Sequence, residues 1–185
     1  MTINLLAKAA VACNLRPDDY VWPDFDMQEN WPKMADSPEP INDLYSRRIL
    51  KLAADVQRTE RLAEPQASVT KTSPLCGSRV TVDVVMDGDV VSDFAHEVKA
   101  CALGQTASSV MASHVVGSTE AELRDVAETM RKMLKEEGTP PSGKWQDLEV
   151  LEPVREYKSR HASVMLTFDA VLAAIDEIKS ARGDN

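Results

Sequence analysis

Between Arg79 and Met86 the chain alternates: Val80, Val82, Val84 and Met86 are separated by Arg79, Thr81, Asp83 and Val85. A period of two marks a strand with one buried face, and that face commits the rest of the chain to covering it. Asp87-Gly88-Asp89 follows, and Asp-Gly tolerates the positive φ that tight hairpin turns require. A second strand then runs from Val90 to about Ala100, with Phe94, His96, Val98 and Ala100 on one side. Upstream, Ala67-Ser68-Val69-Thr70-Lys71-Thr72 is short, β-branched and alternating, the pattern of an edge strand. Three strands joined by two short turns make an antiparallel meander. With the helical segments below, the fold class is α+β, a three-stranded antiparallel sheet packed against helices.

The meander has a chemical consequence. Cys76 lies in the turn between strands one and two, and Cys101 follows strand three. In a meander those places share one end of the sheet, so the two thiols converge. From Ala102 to Val116 the composition favours a helix, which stops at Gly117. Cys101 therefore sits at or beside a helix N-terminus, where the macrodipole favours thiolate. Two converging thiols point to metal or sulfur chemistry.

Composition narrows the alternatives. A chain of 185 residues with 43% hydrophobic content builds one domain with an ordinary core. A formal net charge of -9 argues against nucleic acid and against an anionic membrane surface as partners. No apolar run approaches the length of a membrane span. The cysteines are three in number and widely spaced, which disfavours a disulfide framework. The opening MTINLLAKAAVACNL faintly resembles an export signal, but it lacks a basic start and Lys8 interrupts its apolar run. A cytoplasmic location is expected.

Residues 1–40 read as a flexible arm. They hold two of the three Trp residues and X-Pro steps at Trp22-Pro23, Trp31-Pro32, Ser37-Pro38 and Glu39-Pro40, which forbid a long helix. Met34 is itself a plausible start, so residues 1–33 are a candidate start-site artefact. The domain is expected over 41–182. Its first helix is expected from Ile41 to about Leu62, capped by Asn42 or Asp43, with Leu44, Ile49, Leu52, Ala53 and Val56 as its stripe. Arg47, Arg48 and Lys51 form a basic, solvated side. Ser118-Thr119-Glu120-Ala121-Glu122 offers a capping box into a helix with Leu123, Val126, Met130, Met133 and Leu134 on one face. Gly138 and Pro140-Pro141 end it, and Ser142 to Pro153 reads as an irregular connection. A last helix is expected from Val154 or Ser159 to Ser180.

From the Leu44-Tyr45 helix to about Ile175 the chain resembles the iron–sulfur cluster assembly scaffolds related to the N-terminal domain of NifU, to IscU and to SufU. Leu75-Cys76-Gly77 is similar to that family's first ligand turn. Cys101, followed by Ala107-Ser108-Ser109 and closed by Gly117, is similar to its second-cysteine helix. Two departures stand out. Ser78 occupies the position of the family's Asp, and the third cysteine is missing. Matching the last helix through Leu166, Asp169 and Ala170 puts Ser163 at the cysteine, with Arg160 three residues before it. Sliding by one residue instead puts Ala162 there and matches His161 to the IscU histidine. The ungapped first register is preferred.

What the resemblance implies is a scaffold that binds iron or an iron–sulfur cluster through Cys76 and Cys101, with His161 or Ser163 completing the site. It implies a cysteine desulfurase and cluster-accepting proteins as partners, and a homo-oligomer as one way to add thiolates. Zinc is the less suited metal, because a serine hydroxyl is a poor replacement for thiolate. Some histidine ligation of clusters is chemically acceptable. No base-activated nucleophile is evident, so the chain is not expected to be an enzyme. The alternatives are a SufU-like sulfurtransferase accepting persulfide sulfur, or a degenerate docking partner without metal. His96 reads as a core histidine, His114 as exposed, and Cys13 and the Asp18, Asp19, Asp24, Asp26 cluster as parts of a solvated arm.

Overall fold

The computed structural model describes residues 46–74 and 76–183. The arm at 1–40, with Cys13 and its aspartates, and the caps expected at Asn42 or Asp43 lie outside the described residues, as does Leu75. Within them the order is α1 (Arg47–Ala54), β1 (Ala67–Thr72), β2 (Arg79–Asp87), β3 (Val90–Lys99), α2 (Ala102–His114), α3 (Glu120–Lys135), a 3-10 segment (Gly143–Glu156) and α4 (Lys158–Arg182).

The strands form an antiparallel meander in the order β1-β2-β3. Ala67 pairs with Val84 and Val69 with Val82, while Val82 faces His96 and Val84 faces Phe94 on β3. Those pairs lie on one face, where Val80, Val82, Val84, Met86 and Phe94 are buried. Each such side chain contributes about 1.5–3 kcal/mol relative to exposure. The β2–β3 turn uses Gly88 at φ +58, and one bulge at Val85/Met86 resets the register beside it. Helix α4 packs on β1 and β2, and α2 packs on β3, α1 and α4. Helix α4 is about 37 Å long at 1.5 Å per residue. Its buried residues run from His161 to Ile178, and it ends at Gly183 in the left-handed conformation.

Two local expectations are corrected. Helix α1 stops at Ala54 and does not reach Leu62. Ser46 caps its start. At its end, Ser109 Oγ donates to the Asp55 carbonyl at 2.8 Å. The chain beyond then finds partners on the sheet rather than within a helix. His96 N–H donates to Arg58 O at 2.9 Å, and Leu62 N–H donates to the Asp83 carboxylate at 3.1 Å. Residues 55–66 thus form a strap along β3 and over the sheet's outer face. The second correction concerns residues 142–153. They are not irregular, because Gly143–Glu156 is 3-10 helical with Trp145, Leu148, Leu151 and Val154 buried. Those residues recur every third position, and a three-residue turn puts all of them on one side.

Candidate functional site

The β1–β2 turn and the β3–α2 junction flank the pair Arg79↔Lys99, the last pair at that end of the sheet. The turn is closed by Ser73 N–H donating to Ser78 O at 2.8 Å and Gly77 N–H donating to Ser73 O at 3.0 Å. Gly77 adopts φ +68, a conformation that a Cβ would strain. This presents Cys76 as an exposed thiol. Cys101 is the N-cap residue of α2 but makes no side-chain cap, so its half-buried sulfur is free to face α4.

Three elements meet at this point. Ser163, in the second turn of α4 and buried, lies with its Oγ 3.3 Å from Cys101 Sγ. The same hydroxyl donates to Ser78 Oγ at 3.2 Å, and Ser78 Oγ lies 3.1 Å from Cys76 Sγ. Ser73 Oγ is 3.3 Å from Cys76 Sγ on its other side. The result is a continuous string from thiol to hydroxyl to hydroxyl to thiol. The Ser73 and Ser78 hydroxyls, the Ser78 backbone N–H and Ser163 all favour the Cys76 thiolate, and against slight burial they lower its pKa to about 7. Gly104 of α2 makes the approach possible. A Cβ there would lie 2.8 Å from Ala100 Cβ and 2.9 Å from Ser163 Oγ.

Of the residues singled out from the sequence, Cys76, Cys101 and Ser163 are brought together. His161 is not with them. Its Nε2 donates to Val154 O at 3.1 Å and Arg155 O at 3.2 Å, and it lines a cleft with Ala162 that is separate from the thiols. Two residues along a helix is a rotation of about 200°, so Ser163 and His161 face different ways. The preferred register is the one that puts a hydroxyl between the thiols. Among the described residues no three His, Cys, Asp or Glu side chains cluster as a metal-ligand set.

His96 is fully buried, with Nε2 2.9 Å from Gln57 O. Desolvation outweighs that bond and lowers its pKa, so it is a core histidine. His114 is half-buried against the Trp145 ring at 5.6 Å rather than exposed. Sequence reasoning missed Ser73 and Gly104. The signal for Ser73 was its place across the turn from Ser78; Gly104 had none, because its role is a close approach by a helix far along the chain.

The profile of the NifU-like N terminal domain matches residues 44–181. The crystal structure of a nitrogen-fixing NifU-like protein (N-terminal) from Brucella abortus is 54% identical, with a TM-score of 0.75 over 77% of this chain and 99% of that one. A putative iron–sulfur cluster assembly scaffold protein for the SUF system from Fervidobacterium islandicum AW-1 shares the fold. It has 19% identity and a TM-score of 0.66 over 72% of this chain and 98% of that one. Among curated relatives, the iron–sulfur cluster assembly scaffold protein IscU of Streptococcus pyogenes serotype M1 is 24% identical over 62% of this chain and 72% of its own. The zinc-dependent sulfurtransferase SufU of Bacillus subtilis (strain 168) is 23% identical over 56% of this chain and 70% of its own.

Proposed function

The chain belongs to the NifU-like N-terminal domain family, and from that premise we propose that it holds iron or a nascent iron–sulfur cluster as cargo through Cys76 and Cys101. The observation that carries this reading is the convergence of both thiols on one pair of linked serines, Ser78 beside Cys76 and Ser163 beside Cys101, contributed by three different elements. Two thiolates at one sheet end are a partial ligand set for tetrahedral iron. Sulfide, formed when a thiol reductant supplies two electrons to the persulfide sulfur of a cysteine desulfurase, and thiolates of a cluster-accepting protein fill the remaining positions. Ser73, Ser78 and Ser163 stabilise thiolate by donating hydrogen bonds and remain neutral themselves.

Resident zinc does not fit this donor set. A closed zinc site takes four N, S or carboxylate donors, and beyond the two thiols the string offers only hydroxyls. On this reading the chain is a carrier rather than an enzyme.

A second reading rests on Cys76 alone. It is exposed and its pKa of about 7 leaves a large thiolate fraction at neutral pH. Such a thiolate attacks the outer sulfur of a desulfurase persulfide. The S–S bond breaks, the desulfurase cysteine leaves as thiolate, and Cys76 keeps the added sulfur.

One anaerobic experiment separates the two. The protein is incubated with a cysteine desulfurase and cysteine, alone, with ferrous iron, or with ferrous iron and dithiothreitol, whose thiols reduce persulfide sulfur to sulfide. The carrier reading expects bound iron, acid-labile sulfide and visible absorption, all lost in Cys76→Ala and in Cys101→Ala. A gain of one sulfur mass on Cys76, indifferent to iron and without a chromophore, puts the sulfurtransferase in its place. Neither signal leaves a docking partner without metal.

A further inference from the structure

Cys76 and Cys101 have unlike surroundings. Cys76 is exposed in the β1–β2 turn, whereas Cys101 is half-buried against α4. We propose that the two thiols act in order, with sulfur accepted on Cys76 passed inward to Cys101, which holds it. The proposal rests on the reading in which Cys76 accepts sulfur from a persulfide donor.

The transfer needs no further reagent. The Cys101 thiolate attacks the outer sulfur of the Cys76 persulfide. A new S–S bond forms at Cys101, the S–S bond at Cys76 breaks, and Cys76 leaves as thiolate. The outer sulfur carries its proton with it, and nothing is oxidised or reduced overall. That sulfur stands about 2 Å beyond Cys76 Sγ, so turning it towards Ser78 shortens the interval that the two hydroxyls span. The hydroxyls suit a charge that crosses between thiols. Ser163 Oγ lies 3.3 Å from Cys101 Sγ and 3.2 Å from Ser78 Oγ, and Ser78 Oγ lies 3.1 Å from Cys76 Sγ. Each hydroxyl has one proton to donate, so the pair points to one thiolate at a time. Before attack, Ser78 donates to Ser163 and Ser163 to the Cys101 thiolate. Afterwards both turn round, and Ser163 donates to Ser78, as it does in the structure, while Ser78 donates to the Cys76 thiolate. Ser73 Oγ, 3.3 Å from Cys76 Sγ, supplies a second donor to the departing sulfur.

Direction comes from what surrounds Cys101. It is the N-cap residue of the 13-residue α2, makes no side-chain cap, and precedes a first turn without acidic residues. The first N–H groups of a helix have no intrahelical partner. The positive end of the helix favours the persulfide on Cys101 in its ionised form, with the proton lost to solvent. Exposure acts in the same sense. Sulfur on Cys76 is open to any soluble thiol, and sulfur on Cys101 is screened by α4. The relay also frees Cys76 to accept a second sulfur.

The test follows the sulfur in time. A cysteine desulfurase is loaded with cysteine, freed of it by gel filtration, and mixed anaerobically with the full chain, without iron or soluble thiol. Samples are blocked with iodoacetamide at intervals, and peptide mass spectrometry locates the added sulfur. It should appear first on Cys76 and then on Cys101, with a second sulfur following on Cys76. Cys76→Ala should leave Cys101 unmodified. Cys101→Ala should stop the sulfur at Cys76, as should Cys101→Ser, which keeps the shape of the side chain. Ser163→Ala should slow the passage from Cys76 to Cys101 about tenfold, the effect of losing one charge-assisted hydrogen bond. Cys13→Ser should change nothing. Sulfur that reaches Cys101 in Cys76→Ala, or that stays on Cys76 in the natural protein, overturns the relay. The second of these outcomes leaves Cys76 as a sulfur acceptor. No sulfur on either cysteine overturns the relay and the sulfur-accepting reading together.

Discussion

Ser163 stands where a third thiolate would have to stand for the site to close on a metal. Its Oγ is within 3.3 Å of Cys101 and 3.2 Å of Ser78, yet a hydroxyl stays protonated near neutral pH, whereas a thiol with a reference pKa of about 8.5 ionises readily beside a metal. Ser163→Cys is therefore expected to retain zinc through dialysis, with an apparent affinity at least about tenfold above the natural protein. Ala162→Cys should gain nothing, because Ala162 lines the cleft across the helix. Metal content by mass spectrometry decides between them; zinc held by Ala162→Cys alone would mean that α4 sits in the other register. A second prediction concerns Cys76. Its pKa of about 7 comes first from Ser73, then from Ser78. Its alkylation rate should rise through pH 7, and Ser73→Ala or Ser78→Ala should move that midpoint upward, towards the ordinary thiol value. Unchanged midpoints in both variants would mean that the hydroxyls do not reach the sulfur.

At the scale of elements, the site depends on how closely α2 and α4 approach. Gly104→Ala places a methyl group 2.8 Å from Ala100 Cβ and 3.1 Å from the Ser163 carbonyl oxygen, and neither neighbour is the end of a flexible side chain. The variant should lose about 1–3 kcal/mol, as overpacked cores do. It should also bind iron less well, because Ser163 and Cys101 separate. Denaturant unfolding and iron content check the two effects separately. The strap makes a prediction of its own. Asp83 is fully buried on the sheet's outer face, where burial alone would raise its pKa. Arg61, at 2.5 Å and 2.7 Å, with Ser68 and the Leu62 N–H, holds it below the ordinary carboxylate value instead. Arg61→Ala strands that charge and should cost about 2 kcal/mol, discounted from a fully buried pair because Arg61 is 48% exposed. A lowered folded pKa stabilises above the unfolded carboxylate value of about 3.9 and fades as pH falls through the folded one. The difference between natural protein and variant should therefore be full at neutral pH and shrink in acid.

For the whole molecule, one apolar cluster joins the sheet, α1, α2, α3, the 3-10 segment and α4. The family match begins at residue 44. Removing residues 1–39 is thus expected to change the melting temperature by no more than about 3 °C, equivalent to roughly 1 kcal/mol for a domain of this size. A much larger drop would show that Trp22 or Trp31 packs on the domain. No helix among the described residues is long and apolar enough to cross a membrane.

Local pattern determined a great deal of this. The alternation from Val80 to Met86 and the Asp-Gly turn fix strand faces and hairpin direction within a few residues. Strand order then places Cys76 and Cys101 at one end of the sheet without further information. Thr119, whose hydroxyl accepts from Glu122 N–H at 3.2 Å, is legible for the same reason, since its partner is three residues away. What only the tertiary structure decided involves partners far apart in sequence. The helix expected to continue to Leu62 gives way at Asp55 because Ser109, His96 and Asp83 offer its backbone better hydrogen bonds. The choice between Ser163 and His161 needed the phase of α4. That helix is buried on nearly every side, so its apolar residues trace no single stripe from which a phase can be read. Its orientation is set instead by contact with α2 at Gly104, where two backbones come close enough for the Ser163 hydroxyl to reach Cys101 directly and Cys76 through Ser78.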